Sequence, residues 1–209
     1  MFWYHDEVEQ LARKEILPKG EKMRVLFYGS SSIRLWSTLA EDFPEFEIIN
    51  QGFGGSTLAA CCWFFNKLIP AYKPDAIVLY SGDNDLGDGR HPEEVYLFLQ
   101  NMMEHIKESC GNIPVGIISI KPSFNREHLI NSIHYTNKIF KNLLDEKYSN
   151  GTLINVFDEM LEINKSSREL YEEDGLHLTD AGYQLWKRAV RDQFLQQFVA
   201  SSKDSSTKM

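Results

Sequence analysis

The sequence predicts one doubly wound α/β domain, in which helices cover both faces of a parallel sheet. Its 209 residues are enough for a single sizeable hydrophobic core. Hydrophobic residues make up 43% of the chain and charged residues 25%, which is ordinary globular usage and excludes collagen-like and disordered classes. Short apolar runs alternate with stretches of helical period, and this alternation is typical of a parallel sheet buried on both sides.

Five short runs rich in strand-forming residues are predicted as the strands of this sheet. They are residues 24–28, 46–50, 76–80, 115–120 and 153–157. Glycine, serine or proline follows the first four runs, which is where each strand is expected to end.

Stretches of helical period are predicted as helices before and between these strands. They are residues 5–16, 57–69, 93–109, 127–148 and 180–199. Pro92 suits the first turn of the third helix, and Pro18 with Gly20 ends the first. We expect residues 1–200 to form the single domain and the polar residues 201–209 to be a disordered tail.

Charge and composition exclude several classes of partner. The chain has 30 acidic and 22 basic side chains, a net charge of -8, and no run of Lys and Arg that would bind nucleic acid. It has no signal-peptide pattern and no apolar stretch of the ~20 residues that span a bilayer. Its three cysteines do not form a disulfide framework. We therefore expect a cytoplasmic protein with reduced thiols and without stable membrane association.

The chemistry of such a sheet is expected at the carboxyl ends of its strands, where the strand order reverses. The loops after the first three predicted strands are rich in glycine and small polar residues, which allow tight turns and exposed backbone N–H groups. These loops are residues 29–32, 52–56 and 81–85. A further polar cluster at residues 174–177 precedes the last helix and can fold back over the same edge.

The residue types in these loops are those of an acyl-transfer site. A serine hydroxyl becomes a nucleophile when a base takes its proton, and His177 is the natural base because imidazole titrates near neutrality. Asp174, three residues earlier, is close enough to bind the other ring nitrogen and fix its tautomer. The oxyanion needs donors: the backbone N–H of a serine at a strand-to-helix turn, one from the glycine loop, and the amide of Asn84.

Four sequence blocks carry a resemblance to a known family. The blocks read VLFYGSSSI at residues 25–33, NQGFGGST at 50–57, GDND at 82–85 and DGLHL at 174–178. Together, in this order, they resemble the blocks of the SGNH hydrolase superfamily, also called GDSL esterases and lipases, over about residues 23–198. The resemblance implies Ser31 as the nucleophile, Asp174 and His177 as its triad partners, and Ser31, Gly55 and Asn84 as oxyanion donors.

The resemblance also implies a flavodoxin-like three-layer α/β/α sandwich with a five-stranded parallel sheet in the order 2-1-3-4-5, and no cofactor. Within the family, the pattern is closest to the bacterial branch related to platelet-activating-factor acetylhydrolase-like esterases. Ser30 and Ser56 stand where the family usually has aspartate. These replacements leave the triad intact, but they require different hydrogen bonds in the two loops. The expected substrate is a small-molecule ester: the small loops and the absence of a lid-sized insertion favour short acyl groups such as acetyl, or an exposed site that accepts many esters.

Metal and nucleotide sites are disfavoured. Asp83, Asp85, Asp88 and His91 form an acidic group, but Gly87 occupies the position where an EF-hand loop needs an oxygen ligand, so no metal is predicted. Neither G-x-x-x-x-G-K-[ST] nor G-x-G-x-x-G occurs, and the absence of G-x-S-x-G disfavours the α/β-hydrolase fold.

Two alternative functions remain open at this point. The same site could transfer the acyl group to an alcohol or sugar, since the acceptor changes no triad residue. A non-catalytic flavodoxin-like binding module is supported only by Ser30 and Ser56. The oligomeric state is not predicted.

Overall fold

The computed structural model describes residues 1–199 and contains a five-stranded sheet in the predicted order β2-β1-β3-β4-β5. Every neighbouring pair of strands is parallel. The strands are β1 Arg24–Gly29, β2 Glu47–Gly52, β3 Ala76–Tyr80, β4 Val115–Ile118 and β5 Gly151–Ile154. The inner strands β1, β3 and β4 are buried along their whole length, which explains their continuous apolar sequences.

The helices connect the strands and form the outer layers. They are α1 His5–Ala12, α2 Ser31–Arg34, α3 Leu39–Asp42, α4 Leu58–Leu68, α5 Asp83–Gly87, α6 Pro92–Cys110, α7 Ile130–Lys147, α8 Phe157–Asn164 and α9 Asp180–Val190. Short 3-10 helices lie at Phe2–Tyr4, Pro70–Tyr72 and Phe124–Leu129, and a π-helical turn at Arg191–Leu195 follows α9.

Two hydrophobic clusters lie on opposite faces of the sheet and make it the middle of three layers. Leu26 and Tyr28 of β1 pack with α1, α4, α6 and α7 on one face. Val25 and Phe27 pack with α9, α8 and the short helices α2 and α3 on the other. This alternation follows from the two-residue period of a strand. The flavodoxin-like three-layer sandwich predicted from the sequence is confirmed.

Some predicted boundaries differ from the structure. Helix α1 ends at Ala12 rather than residue 16, because residues 13–17 are exposed and have no core surface to pack against. Strand β5 covers Gly151–Ile154 rather than 153–157. The N–H groups of Val156 and Phe157 instead donate to Ser119 Oγ, at 3.0 and 3.1 Å, and α8 begins there. The short helices α3, α5 and α8 were not predicted, and α2 was expected only as the helix after a strand-to-helix turn at the serines, without bounds.

Other features bear on the expected environment of the protein. No helix within residues 1–199 is long and apolar enough to cross a membrane. Cys61 and Cys62 are buried free thiols, and Cys110 is a partly buried one. The predicted tail, residues 201–209, lies outside the described residues.

Candidate active site

A turn that requires glycine carries the chain from β1 to Ser31. Gly29 has a φ of +134°, and a Cβ placed there would lie 1.9 Å from the carbonyl oxygen of Tyr80 in β3. Ser30 follows in an extended conformation and donates its N–H to that same oxygen at 3.0 Å. Ser31 is the first residue of α2. The close approach of the two backbones therefore fixes Ser31 at the carboxyl edge of the sheet.

Asp174 and His177 lie in one local turn before α9. Asp174 Oδ1 accepts the N–H groups of Leu176 at 2.8 Å and His177 at 2.9 Å, as in an Asx turn. Gly175 has a φ of +65°, and an antiparallel bridge between Tyr171 and Leu178 closes the base of the loop. The three-residue spacing thus places both side chains on one side of a tight turn.

Ser31, His177 and Asp174 form a continuous chain of hydrogen bonds. His177 Nε2 lies 3.1 Å from Ser31 Oγ, although 146 positions separate the two residues. His177 Nδ1 lies 2.5 Å from Asp174 Oδ2. An ionised carboxylate only accepts, so Nδ1 carries the proton and the lone pair of Nε2 faces the serine hydroxyl. The predicted nucleophile and base are therefore in proton-sharing contact.

The pKa of Asp174 is suited to this arrangement. Its partial burial would raise the pKa, but the N–H groups of His177 and Leu176 and the imidazole outweigh that effect and lower the pKa to about 2. Asp174 therefore stays ionised at neutral pH. Its side chain is 47% exposed and that of His177 is 32% exposed, so the site opens directly to solvent.

The neighbouring serines are held differently. Ser30 and Ser32 are both buried, whereas Ser31 is partly exposed. The hydroxyl of Tyr183 on α9 donates to the backbone carbonyl of Ser32 at 3.0 Å and fixes the helix that carries Ser31. Within residues 1–199, the hydroxyl bonded to His177 Nε2 is that of Ser31.

The glycine loop, residues 52–56 at the end of β2, packs against α2. The N–H of Phe53 donates to the carbonyl of Gly29 at 2.9 Å. A Cβ at Gly52 would lie 2.4 Å from the backbone nitrogen of Arg34 in α2, so the loop and the helix touch through their backbones. Gly55 is exposed and has a φ of +64°. The structure therefore brings the Gly55 loop beside the turn that holds Ser31.

Asn84 contacts the same loop at Ser56. It occupies the first turn of α5, after Gly82 at a φ of +111°. Its Nδ2 donates to the carbonyl oxygen of Ser56 at 3.0 Å. An amide NH₂ has two hydrogens, so this bond fixes the orientation of the amide and leaves one donor for another acceptor. Asn84 and Gly55 are thus neighbours through Ser56.

The acidic residues near Asn84 make contacts within the protein. Asp85 Oδ2 accepts the N–H of Leu58 at 2.6 Å, and burial raises the pKa of Asp85. Asp83 Oδ2 lies 3.1 Å from Nζ of the buried Lys121. In the described part of the chain, no group of three or more His, Cys, Asp or Glu side chains could hold a metal ion.

Sequence reasoning missed three residues next to the site. Tyr4 and Glu7 of the N-terminal segment hydrogen-bond to the glycine loop, and Lys121 pairs with Asp83 beside Asn84. Lys121 could have been noticed as a lone charge directly after an apolar strand. Glu7 carries no signal beyond belonging to the predicted first helix, and Tyr4 lies directly before that helix.

Comparison with known proteins gives a family match and several similar structures. Residues 27–185 match the GDSL-like lipase/acylhydrolase family. No curated protein sequence matches the chain significantly. Similar structures include a provisionally named platelet activating factor from Streptococcus pneumonia, which is 21% identical, with a TM-score of 0.76 and 91% of each chain covered.

Two further structures have the same fold. A GDSL-like lipase from Bacteroides thetaiotaomicron is 20% identical, with a TM-score of 0.71, and the match covers 90% of this chain and 95% of that one. A catalytic mutant of an acetylxylan esterase from Geobacillus stearothermophilus is 15% identical, with a TM-score of 0.69, covering 85% of this chain and 96% of the other.

Proposed function

The chain belongs to the GDSL-like lipase/acylhydrolase family and is a carboxylic ester hydrolase, and we propose that it works through an acyl-enzyme formed on Ser31. One observation carries this proposal: the chain of hydrogen bonds from Ser31 Oγ to His177 Nε2 at 3.1 Å and from Nδ1 to Asp174 Oδ2 at 2.5 Å. Such a chain is what a serine needs to lose its proton as it attacks.

In the acylation step, Ser31 Oγ attacks the ester carbonyl carbon while its proton passes to His177 Nε2. The electron pair of the carbonyl moves to its oxygen and makes a tetrahedral oxyanion. The imidazolium then gives its proton to the leaving alkoxide, so that an alcohol departs and an acyl-serine remains. Asp174, ionised because its pKa is about 2, stabilises the imidazolium that forms between these two transfers.

Deacylation repeats the same transfers with water. His177 Nε2 takes a proton from water, the hydroxide oxygen attacks the acyl carbon, and the proton returns to Ser31 Oγ as the carboxylic acid leaves. The exposure of His177 supports this step, since solvent reaches the base directly. The proposed products are therefore one alcohol and one free acid for each ester consumed.

Three donors are proposed to hold the oxyanion: the N–H groups of Ser31 and Gly55 and the side-chain amide of Asn84. The N–H of Ser31 lies in the first turn of a helix and has no intrahelical acceptor. Asn84 has one amide hydrogen left after its bond to Ser56. Each such donor typically contributes about 10²–10³ in turnover.

We propose small esters with short acyl groups as substrates. Support comes from the openness of the site, where Asp174 and His177 are both substantially exposed. A cavity of about 320 Å³ with an apolar lining lies between Phe124, Ile130 and Leu161; none of its lining residues belongs to the triad, although Phe124 lies against Gly175 in the turn that carries Asp174 and His177.

The nucleophile is tested by Ser31→Ala, with Ser30→Ala and Ser32→Ala as matched controls from the same turn. We expect Ser31→Ala to lower turnover of p-nitrophenyl acetate by about 10⁴–10⁶-fold, and the controls to keep most of it. A fluorophosphonate probe should label the wild type and both controls but not Ser31→Ala. Wild-type turnover in Ser31→Ala would reject the proposal.

The acyl preference is tested with p-nitrophenyl esters from acetate to palmitate, measured by release of both p-nitrophenol and free acid. We expect kcat/KM to be highest for the shortest esters and the two products to be equal. A steady rise in kcat/KM towards palmitate would reject the short-acyl proposal.

A further inference from the structure

We propose that Tyr4 and Glu7 are positioning residues that hold the backbone N–H of Gly55 in its direction as an oxyanion donor. This inference rests on the proposed function, because it gives Gly55 a role in the reaction. The Tyr4 hydroxyl donates to the carbonyl oxygen of Gly55 at 3.0 Å. Glu7 Oε2 accepts the N–H of Gly54 at 2.8 Å.

The two hydrogen bonds hold the peptide planes on either side of the peptide that carries the N–H of Gly55. The N–H of Gly54 belongs to the peptide between residues 53 and 54, and the carbonyl of Gly55 belongs to the peptide between 55 and 56. The N–H of Gly55 lies in the peptide between them. With both neighbours fixed, this central plane can turn only through a concerted, opposite change of ψ at Gly54 and φ at Gly55, so the two bonds remove the independent rotations of the loop.

A Gly-Gly pair needs such anchoring more than other sequences do. Glycine populates positive and negative φ about equally, so two in succession leave the central peptide free to adopt many orientations. Gly55 has a φ of +64°, which is one of these possibilities. An oxyanion donor must lie within about 1 Å of its productive position, so contacts that exclude the other orientations of this peptide favour the reaction.

Tyr4 is itself held firmly. It is buried, and its ring packs edge-to-face against Phe53, with centroids 5.5 Å apart, and against Phe64, at 6.5 Å. Phe53 lies directly before Gly54 in the chain. The aromatic packing therefore fixes the hydroxyl of Tyr4 relative to the glycine loop.

Glu7 links the glycine loop to the helix of the nucleophile. Its second oxygen, Oε1, lies 3.4 Å from Nη1 of Arg34, and Arg34 is three residues after Ser31 on α2. One carboxylate thus contacts both the Gly55 loop and the helix that carries Ser31. The arrangement ties the donor to the nucleophile through a side chain 47 residues away from Gly54 in sequence.

Both residues lie outside the part of the chain that matches the family, which starts at residue 27. They also lie outside the four sequence blocks, in the N-terminal segment of the chain.

The test uses Tyr4→Phe, which keeps the ring and removes the hydroxyl, and Glu7→Ala and Glu7→Gln, which remove the carboxylate or only its charge. We expect Tyr4→Phe and Glu7→Ala each to lower kcat for p-nitrophenyl acetate by about 10- to 100-fold. Complete removal of an oxyanion donor typically lowers kcat by about 10²–10³-fold, so a misdirected donor should cost less. KM should change by less than about threefold, since a donor to the oxyanion acts mainly in the transition state. Glu7→Gln should lose less than Glu7→Ala, because its amide oxygen still accepts the N–H of Gly54.

The matched control is Glu9→Gln on the same helix, since Glu9 pairs with Lys67 and not with the glycine loop. We expect it to keep wild-type kcat. A trifluoromethyl ketone, which forms a tetrahedral adduct on a catalytic serine, gives a second readout. Its inhibition constant should rise in proportion to the loss of kcat/KM in the Tyr4 and Glu7 variants, whereas a purely structural role would lower the melting temperature and leave this affinity unchanged.

The outcomes separate this inference from the function on which it rests. If Tyr4→Phe and Glu7→Ala are folded and as active as the wild type while Ser31→Ala is inactive, the positioning role is rejected and the hydrolytic mechanism stands. If Ser31→Ala is itself active, the mechanism is rejected and the positioning role with it.

Discussion

A buried ion pair beside Asn84 allows a stability prediction that the structure makes quantitative. Lys121 is 1% exposed and Asp83 5% exposed, and Nζ of Lys121 lies 3.1 Å from Asp83 Oδ2. The same Nζ donates to the hydroxyl of Tyr80 at 3.1 Å. The perturbation is Lys121→Met, which keeps a long unbranched side chain and removes the charge.

The expected cost follows from what is left behind. Without Lys121, the carboxylate of Asp83 stays buried, and the nearest remaining cation is Arg126, whose Nε lies 3.7 Å from Oδ1. Removing one partner of a buried pair costs about 3–5 kcal/mol, and we expect about 3–4 kcal/mol here because Arg126 compensates in part. For a domain of this size, that corresponds to a fall of about 6–16 °C in the melting temperature.

Urea denaturation of three variants measures this cost. Lys121→Met is compared with Asp83→Asn/Lys121→Met, which should be more stable than the single variant because no unpaired charge remains. The control is Lys141→Met, which breaks an ion pair with Asp145 whose side chains are 61% and 60% exposed. It should change the free energy of unfolding by less than about 0.5 kcal/mol.

The reasoning is refuted if Lys121→Met loses no more stability than Lys141→Met. It is also refuted if the double variant is less stable than Lys121→Met. The loss of stability in Lys121→Met would then not come from the unpaired carboxylate of Asp83.

Three further predictions concern the site and its turn. Asn84→Ala should lower kcat for p-nitrophenyl acetate by about 10²–10³-fold with little change in KM, and an unchanged kcat would exclude it as an oxyanion donor. The pKa of Asp174, about 2, lies below its unfolded value, so its carboxylate stabilises the fold above about pH 4 and this contribution is lost as the pH falls towards 2. The difference in unfolding free energy between the wild type and Asp174→Asn should therefore narrow between pH 5 and pH 2, and a constant difference would contradict this. Gly29→Ala, whose Cβ would lie 1.9 Å from the Tyr80 carbonyl, should lose more than about 3 kcal/mol in denaturation, whereas Gly20→Ala, with nothing within 4 Å, should stay within about 0.5 kcal/mol; equal stabilities would contradict the predicted clash.

The bounds of a strand were predicted more accurately where the strand is more deeply buried. Strand β3 was predicted at its observed bounds, Ala76–Tyr80, because an inner strand covered on both faces is apolar from end to end. Strand β5 lies at the edge of the sheet and is half-buried over its first three residues, so its apolar run does not mark its start. Its end is set by Ser119 Oγ, which takes the N–H groups of Val156 and Phe157. No local pattern in the sequence encodes that contact.

No bounds were predicted for the short helices, for a related reason. Helices α2 and α5 have only four and five residues, too few for an apolar period to appear. They exist because the turns at Gly29 and Gly82 lead the chain into them at the edge of the sheet. Their positions nevertheless match the loops in which the sequence placed Ser31 and Asn84.

The sequence by itself determined the sheet, its strand order through the family blocks, and the residue types available at its carboxyl edge. It also determined the pairing of Asp174 with His177, because three residues within one turn can be read locally. Only the tertiary structure decided that Ser31 meets His177 across 146 positions and that Tyr4 and Glu7 reach the glycine loop from 51 and 47 positions away. The physical reason is that side-chain hydrogen bonds act over about 3 Å. Partners distant in the chain reach that separation only once the packed sheet and helices have fixed where each turn lies.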